Sequence, residues 1–438
     1  MVARNGEGQG MSDTAAGRVG RRRVFYIPGY DPFPPRRYRE LYRTESAAQA
    51  ALGGYEVEIG PRAGTGFGWT VSGRMEGAEV QAEVEVLVWS DLVRSSMSNS
   101  IPATYLQLLR TARTYITSGA LGRLMRLRKG PVIAALYPVV FLLVQLLLAV
   151  FIGAVAFWGM AYLSRAAVEF AHGVPELAGP PYLAARIALS ALAGGLATWG
   201  VLAWFRARDG KFFAYYLMHD YAHTAQAGGA YPPELEARLG AFADRIAEAL
   251  TSGCDEVLVV GHSSGAHLGV SVLADLIRAG RVPADGPALS FLSLGQVVPM
   301  VAFLPRAERL RGDLAYLSER RELFWLDVTA PGDGCAFALC DPVAVCGVAG
   351  VDKRAPLVIS AAFTQTLSPE RWKALRWRFF RLHFQYLCAF DNLAGEVGDY
   401  DYFRVTAGPL TLAERFAARA PSQSRIERAV SKYTSVSP

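Results

Sequence analysis

Two nearly uncharged apolar segments, Val132 to Leu163 and Tyr182 to Phe205, dominate the middle of the chain. Each exceeds the ~20 residues that a helix needs to cross the hydrocarbon of a bilayer. They predict a transmembrane helical hairpin over residues 131–206. The alternative, a pair of buried core helices, fits poorly with segments this long and this poor in charge. Arg186, near one end of the second segment, can snorkel to the interface. The small residues from Ala191 to Thr198, including Gly194 and Gly195, suit either close packing of the two spans or a homodimer contact.

On both sides of the hairpin the pattern changes. Before it, strands are expected at Val24 to Ile27 and Tyr55 to Ile59, followed by an antiparallel pair, Trp69 to Arg74 and Val80 to Trp89, joined through Glu76-Gly77. The glycine-rich Gly60 to Gly68 reads as a hairpin loop. After the hairpin, helix and strand alternate: a helix at Pro233 to Leu250, a strand at Glu256 to Val260, a helix at Ser264 to Ala279 and a strand at Ala288 to Leu294. A polar helical stretch around Arg306 to Arg320 and a strand at Leu323 to Val328 continue the series. Such alternation implies crossover connections and a parallel sheet covered on both faces, a doubly wound α/β fold.

Between the first strands and the hairpin, Leu109, Ala112, Ile116, Ala120, Leu124 and Leu127 recur at helical spacing, with Arg110, Arg113, Arg123 and Arg126 elsewhere on the wheel. That pattern suits one helix lying in the membrane interface, or one packed on the soluble core with a solvated basic face. The chain therefore divides into a flexible N-terminus (1–22), a first part of the soluble domain (23–130), the hairpin (131–206), the main part of the soluble domain (207–418) and a frayed polar tail (419–438). Met1 to Gly20 is polar and glycine-rich and does not read as a signal peptide, and Met11 is an alternative start.

Composition adds weight to the membrane reading, since 52% of the 438 residues are hydrophobic and only 19% are charged. The net charge of +6 gathers beside the spans and near the N-terminus rather than interleaving with aromatics, which argues against nucleic-acid binding. Arg123, Arg126, Arg128 and Lys129 precede the first span, and Arg206, Arg208 and Lys211 follow the second. The link from Ser164 to Pro181 has only Arg165 against Glu169 and Glu176, so both long flanks are expected in the cytoplasm and the link, with His172, on the far side. Five cysteines without a C-x-x-C pair argue against a disulfide framework and a zinc knuckle, and fit a reducing compartment.

The candidate chemistry starts at Gly261-His262-Ser263-Ser264-Gly265. A G-x-S-x-G match alone is weak. Here an apolar strand precedes it and a helix rich in small and apolar residues follows, the context in which a serine sits on a sharp turn with small neighbours. Ser263 is the expected nucleophile, and the helix N-terminus behind it favours developing negative charge.

From Val257 to Gly265 the chain resembles the nucleophile elbow of the α/β-hydrolase superfamily, in its lipase and esterase branch. The resemblance covers the soluble parts and not the hairpin. It implies a doubly wound, mainly parallel sheet of α/β-hydrolase type, here interrupted by the hairpin, and a triad in chain order serine, acid, histidine.

Among six histidines, His172 lies across the membrane, His219 and His223 precede the elbow, and His262 and His267 belong to it. His383 remains as the general base, with a core role as its alternative. Asp333, in the turn after the strand ending at Thr329, is the favoured acid, because it can orient an imidazole from the edge where such sheets carry their chemistry. Asp327 and Asp341 stand as alternatives. The backbone N–H of Ser264 is one expected oxyanion donor, and the resemblance implies Tyr30, in Pro28-Gly29-Tyr30, as the second. Proline there replaces the family's common histidine.

His219 and His223 have a metal-ligand spacing but lack the glutamate of H-E-x-x-H, and neither a metal nor another cofactor is expected. The expectation is thus an integral membrane serine hydrolase that cleaves a lipid or other hydrophobic ester through an acyl-enzyme. An acyltransferase with the same nucleophile, or a non-catalytic membrane scaffold, are its rivals.

Overall fold

The computed structural model describes residues 18–97, 100–172, 179–393 and 400–437. Its centre is an eight-stranded sheet of order β2-β3-β4-β1-β5-β6-β7-β8. The strands are β1 (Arg21–Ile27), β2 (Glu56–Pro61), β3 (Phe67–Met75), β4 (Ala78–Val86), β5 (Glu256–His262), β6 (Ala288–Leu294), β7 (Phe324–Thr329) and β8 (Leu357–Ser360). β1 pairs in parallel with both β4 and β5, and β5 to β8 are parallel throughout. β2 and β3 add an antiparallel edge. The molecule is therefore a mixed α/β protein with a mostly parallel sheet.

The pattern of the sequence explains this layout. Every residue of β5 is buried, which accounts for its continuous apolar run: it lies between β1 and β6 with both faces covered. Alternate side chains feed two cores, with Phe25, Val257, Val259 and Phe291 on one side and Val24, Leu258, Val260 and Leu292 on the other. Glu76 and Gly77 have φ values of 55° and 74°, the left-handed conformations of a tight hairpin turn, and they join β3 to β4 as expected.

Several expectations change. Of the expected flexible N-terminus, residues 1–17 lie outside the described residues, but β1 already starts at Arg21. The buried Arg22 guanidinium meets Glu256 at 2.6 Å and donates to the Gly408 and Leu410 carbonyls. The tail from 419 to 437 is strapped to the domain rather than frayed. Ile426 exchanges backbone hydrogen bonds with Leu339 and Asp341, and buried Arg311 donates to the Ser435 carbonyl at 2.7 Å. These contacts are backbone and guanidinium bonds, which leave no apolar period in the sequence. The helix Arg36–Gly53 and strand β8 were not anticipated. The buried stripe of that helix, Tyr38, Tyr42, Ser46 and Ala50, is diluted by the charges around it.

The single basic helix expected before the hairpin is two, Ile101–Thr117 and Ala120–Leu127, broken where Gly119 takes φ 72°. Ala120, Leu124 and Leu127 are buried in the core, whereas Leu109 and Ile116 are exposed. The two long helices, Lys129–His172 and Pro180–Ala207, are long and apolar enough to cross a membrane. The first continues well past Leu163, so the link is shorter than expected, and Glu176 lies outside the described residues. Their outward apolar side chains, Leu147, Phe151, Trp158 and Leu196 among them, are exposed. The small-residue run serves the contact between the two helices. A Cβ on Gly194 would meet the Gly153 carbonyl oxygen at 2.9 Å, while Gly195 faces open space.

Candidate active site

At the carboxyl end of β5 the chain turns sharply into the helix Ser264–Arg278, and Ser263 stands on the turn with φ 58° and ψ −121°. A non-glycine residue adopts such a conformation only where its surroundings impose it. Its N–H is held by the Leu294 carbonyl at 2.9 Å, and the flanking glycines let strand and helix close up. A Cβ on Gly265 would lie 2.0 Å from the Ile27 carbonyl oxygen, and one on Gly261 would lie 2.5 Å from that of Gly265. Gly29, from the loop after β1, also approaches the serine, and a Cβ there would sit 3.0 Å from the Ser263 Cβ.

Because β5, β6 and β7 are parallel, their carboxyl ends share one edge, and the turn after β7 delivers Asp333 to it. His383, the last residue of the short helix Phe379–His383, donates from Nδ1 to Asp333 Oδ2 at 2.7 Å. Both side chains are buried. The Tyr386 hydroxyl donates to the same oxygen at 3.0 Å, and the Cys335 N–H donates to Asp333 Oδ1 at 2.8 Å. Burial by itself would raise the Asp333 pKa. The His383 charge and these hydrogen bonds outweigh it and hold the carboxyl below its ordinary range.

Ser263, Ser264 and His383 line one cavity, whose wall includes Pro131, Leu217 and Phe380. Three of the expected site residues, Ser263, Asp333 and His383, thus gather at one edge of the sheet. Ser264 opens the helix behind Ser263, and Tyr30 lies two residues into the Pro28-Gly29 loop. Neither backbone N–H has an acceptor among the described residues, the condition for two donors that await an oxyanion.

The alternative acids are otherwise engaged. Asp327 lies within β7, fully buried, and accepts from Ser293 Oγ at 2.6 Å; burial pushes its pKa up to about 8. Asp341 caps the N–H groups of Val343 and Ala344 at 3.0 Å each. His219 bonds to Gln107 through Nδ1, and His223 to Gln226, so the two imidazoles of the metal-like spacing have separate partners. Among the described residues, Asp333, Cys335 and His383 alone bring three ligand types together, but the imidazole and carboxylate are bound to each other. Burial also drives the Cys335 thiol well above its ordinary pKa, so it is no ready metal ligand.

Three contributors escaped the sequence reading. His262 donates from Nε2 to the His383 carbonyl at 2.9 Å and lies against its ring, the centroids 4.8 Å apart. Burial lowers its pKa to about 3, which keeps it a neutral donor. Tyr386 braces Asp333, and its distance of three residues from His383 was the available signal. Gly295, at φ 53°, leaves room for the His383 ring, since a Cβ there would lie 3.0 Å from Cε1. Comparisons with protein-family models, with curated proteins and with solved structures return no match.

Proposed function

We propose that the protein is a membrane-anchored serine hydrolase that cleaves a hydrophobic ester. The observation that carries this reading is the buried Asp333–His383 pair on the wall of the cavity that Ser263 enters from its strained turn. His383 takes the Ser263 proton as Oγ attacks the ester carbonyl, and Asp333 stabilises the imidazolium through Nδ1–H. The N–H groups of Ser264 and Tyr30 receive the oxyanion. The imidazolium then protonates the departing alkoxide, and water, deprotonated by the same imidazole, releases the acid from Ser263. The elbow between a parallel strand and a helix, and the chain order Ser263, Asp333, His383, support an α/β-hydrolase assignment with the hairpin as an insertion.

A hydrophobic substrate follows from the cavity wall. Pro131 belongs to the root of the first long helix, and Phe380 packs on Phe213, just beyond the second, at 5.6 Å. The basic flanks at Arg123 to Lys129 and Arg206 to Lys211 support a cytoplasmic domain. Labelling of detergent-solubilised protein with a fluorophosphonate tests the reading. Wild type is expected to react, and Ser263→Ala and His383→Ala are not. Well-folded wild type that stays unlabelled would favour a non-catalytic scaffold.

A further inference from the structure

Resting on that hydrolase reading, the geometry points to a polar subsite beside Ser263, formed by Asp220, Thr224 and His267, that binds the hydroxyl groups of a neutral polyol ester. All three side chains line the cavity containing Ser263 and His383, and all three also line an adjoining cavity under Tyr30 and Tyr231. The helix Ala214–Ala225, directly after the long helices, supplies Asp220 and Thr224 one turn apart; His267 comes from the first turn of the elbow helix.

These groups are poised for a ligand in a specific sense. His267 is only 7% exposed, yet its Nδ1 has no hydrogen-bond partner. Asp220, half-buried on the same cavity, has no hydrogen bond to its carboxyl group among the described residues. A buried imidazole nitrogen left without a partner costs free energy that a ligand can recover.

The chemistry selects the ligand class. Burial raises the Asp220 pKa to about 7 and lowers that of His267 to about 3, so the imidazole is neutral and the carboxyl is not held firmly ionised. No lysine or arginine lines either cavity among the described residues, which leaves a phosphate without a cation. Hydroxyl groups donate and accept at once and satisfy a carboxyl, an imidazole and a threonine together. Pro131, Leu217, Met300 and Phe380 line the same cavity and offer apolar surface to an acyl chain. The site thus combines apolar wall with groups that bind hydroxyls.

A matched pair of esters, 2,3-dihydroxypropyl octanoate and propyl octanoate, reads the subsite directly in the full-length solubilised protein. The expected ratio of kcat/KM favours the dihydroxypropyl ester by ~10-fold or more, the worth of one to two neutral hydrogen bonds. Asp220→Leu and His267→Phe should each bring the ratio close to one, and Asp220→Asn, which keeps an acceptor and adds a donor, should retain most of it. Each variant is first checked for labelling by an alkyl fluorophosphonate. If the larger changes abolish labelling, the near-isosteric Thr224→Val is read instead and should lower the ratio ~3-fold, the worth of one neutral hydrogen bond. Labelling with a ratio near one in wild type, or a ratio untouched in the variants, overturns the polyol subsite alone. Wild type that neither labels nor turns over either ester overturns the hydrolase reading with it.

Discussion

The carboxyl edge of β7 and the interior of the same strand each hold a buried aspartate, and the two behave in opposite ways. Asp333, just past the strand, receives the His383 imidazole, the Tyr386 hydroxyl and the Cys335 N–H. Asp327, within the strand, receives only the Ser293 hydroxyl, and its Oδ2 has no partner. Burial acts on both, yet the first is held below the ordinary carboxylate range and the second is raised to about 8. What separates them is the number of donors each position can recruit. A strand's backbone donors are spent on the neighbouring strands, whereas a turn frees its own N–H groups and admits side chains from distant segments. Charge can be kept at the edge of this sheet and not in its middle, which is where the proposed chemistry belongs.

The largest expected break in that contrast is in turnover. Asp333→Asn should lower kcat for ester hydrolysis by about 10⁴-fold through loss of the imidazole's orientation and tautomer. Asp327→Asn should leave kcat within a factor of ~3, because it touches no reacting group. Similar losses in both variants would remove the functional distinction between the two positions.

A smaller loss is expected where the edge is crowded rather than charged. A side chain on Gly29 must press on Ser263, so Gly29→Val should cost ~100-fold in kcat/KM, the scale of a misplacement of about 1 Å. Circular dichroism and the unfolding midpoint check that the fold survives.

His262 sharpens the contrast further, as a positioning residue that acts through the His383 carbonyl. His262→Phe should lower kcat about tenfold with KM little changed, near the upper range for one neutral hydrogen bond. His262→Gln, which retains an N–H donor, should recover part of the loss. Equal losses in both variants would mean that the N–H donor to the His383 carbonyl carries no weight.

The last effect concerns stability rather than turnover. Asp327 has a folded pKa of about 8, well above its unfolded value near ~4, so between these the native state holds a proton that the unfolded chain has released. Its contribution is complete below the lower value and is lost as pH rises through the upper one, with a slope of at most about 1.4 kcal/mol per pH unit. Asp333 has the opposite sign, and its contribution is lost only as pH falls through its depressed folded pKa. Urea unfolding at several pH values from 5 to 8 should show a decline that Asp327→Asn makes shallower. An identical pH dependence in the variant would place the ionisation elsewhere.

Much of the sheet was legible because its central strands carry local signals. The strand at Ala288 to Leu294 and the helix at Pro233 to Leu250 coincide with the expected spans, and the Glu76-Gly77 turn joins its two strands. The elbow was legible as well, since its glycines answer to steric contacts between adjacent elements. Elimination among six histidines led to His383, and the turn after β7 to Asp333, but the bond between them spans fifty residues. His262 and Asp220 were passed over for a related reason. One looked like a filler position of the motif and the other like an ordinary helix residue, and only contact with remote segments gives either a part to play.

By itself, the sequence determined the two apolar helices, the alternation of strand and helix after them, and the strained turn that carries Ser263. These depend on hydrophobic period, on length and on the absence of side chains at particular positions, all of which are local. Tertiary structure alone decided which aspartate meets His383, that residues 419–437 strap the domain, and that unpartnered polar groups line the cavity beside Ser263. Each of those outcomes is a matter of donors, acceptors and desolvation supplied by segments far apart in the chain, and hydrogen-bond partners of that kind leave no period to read.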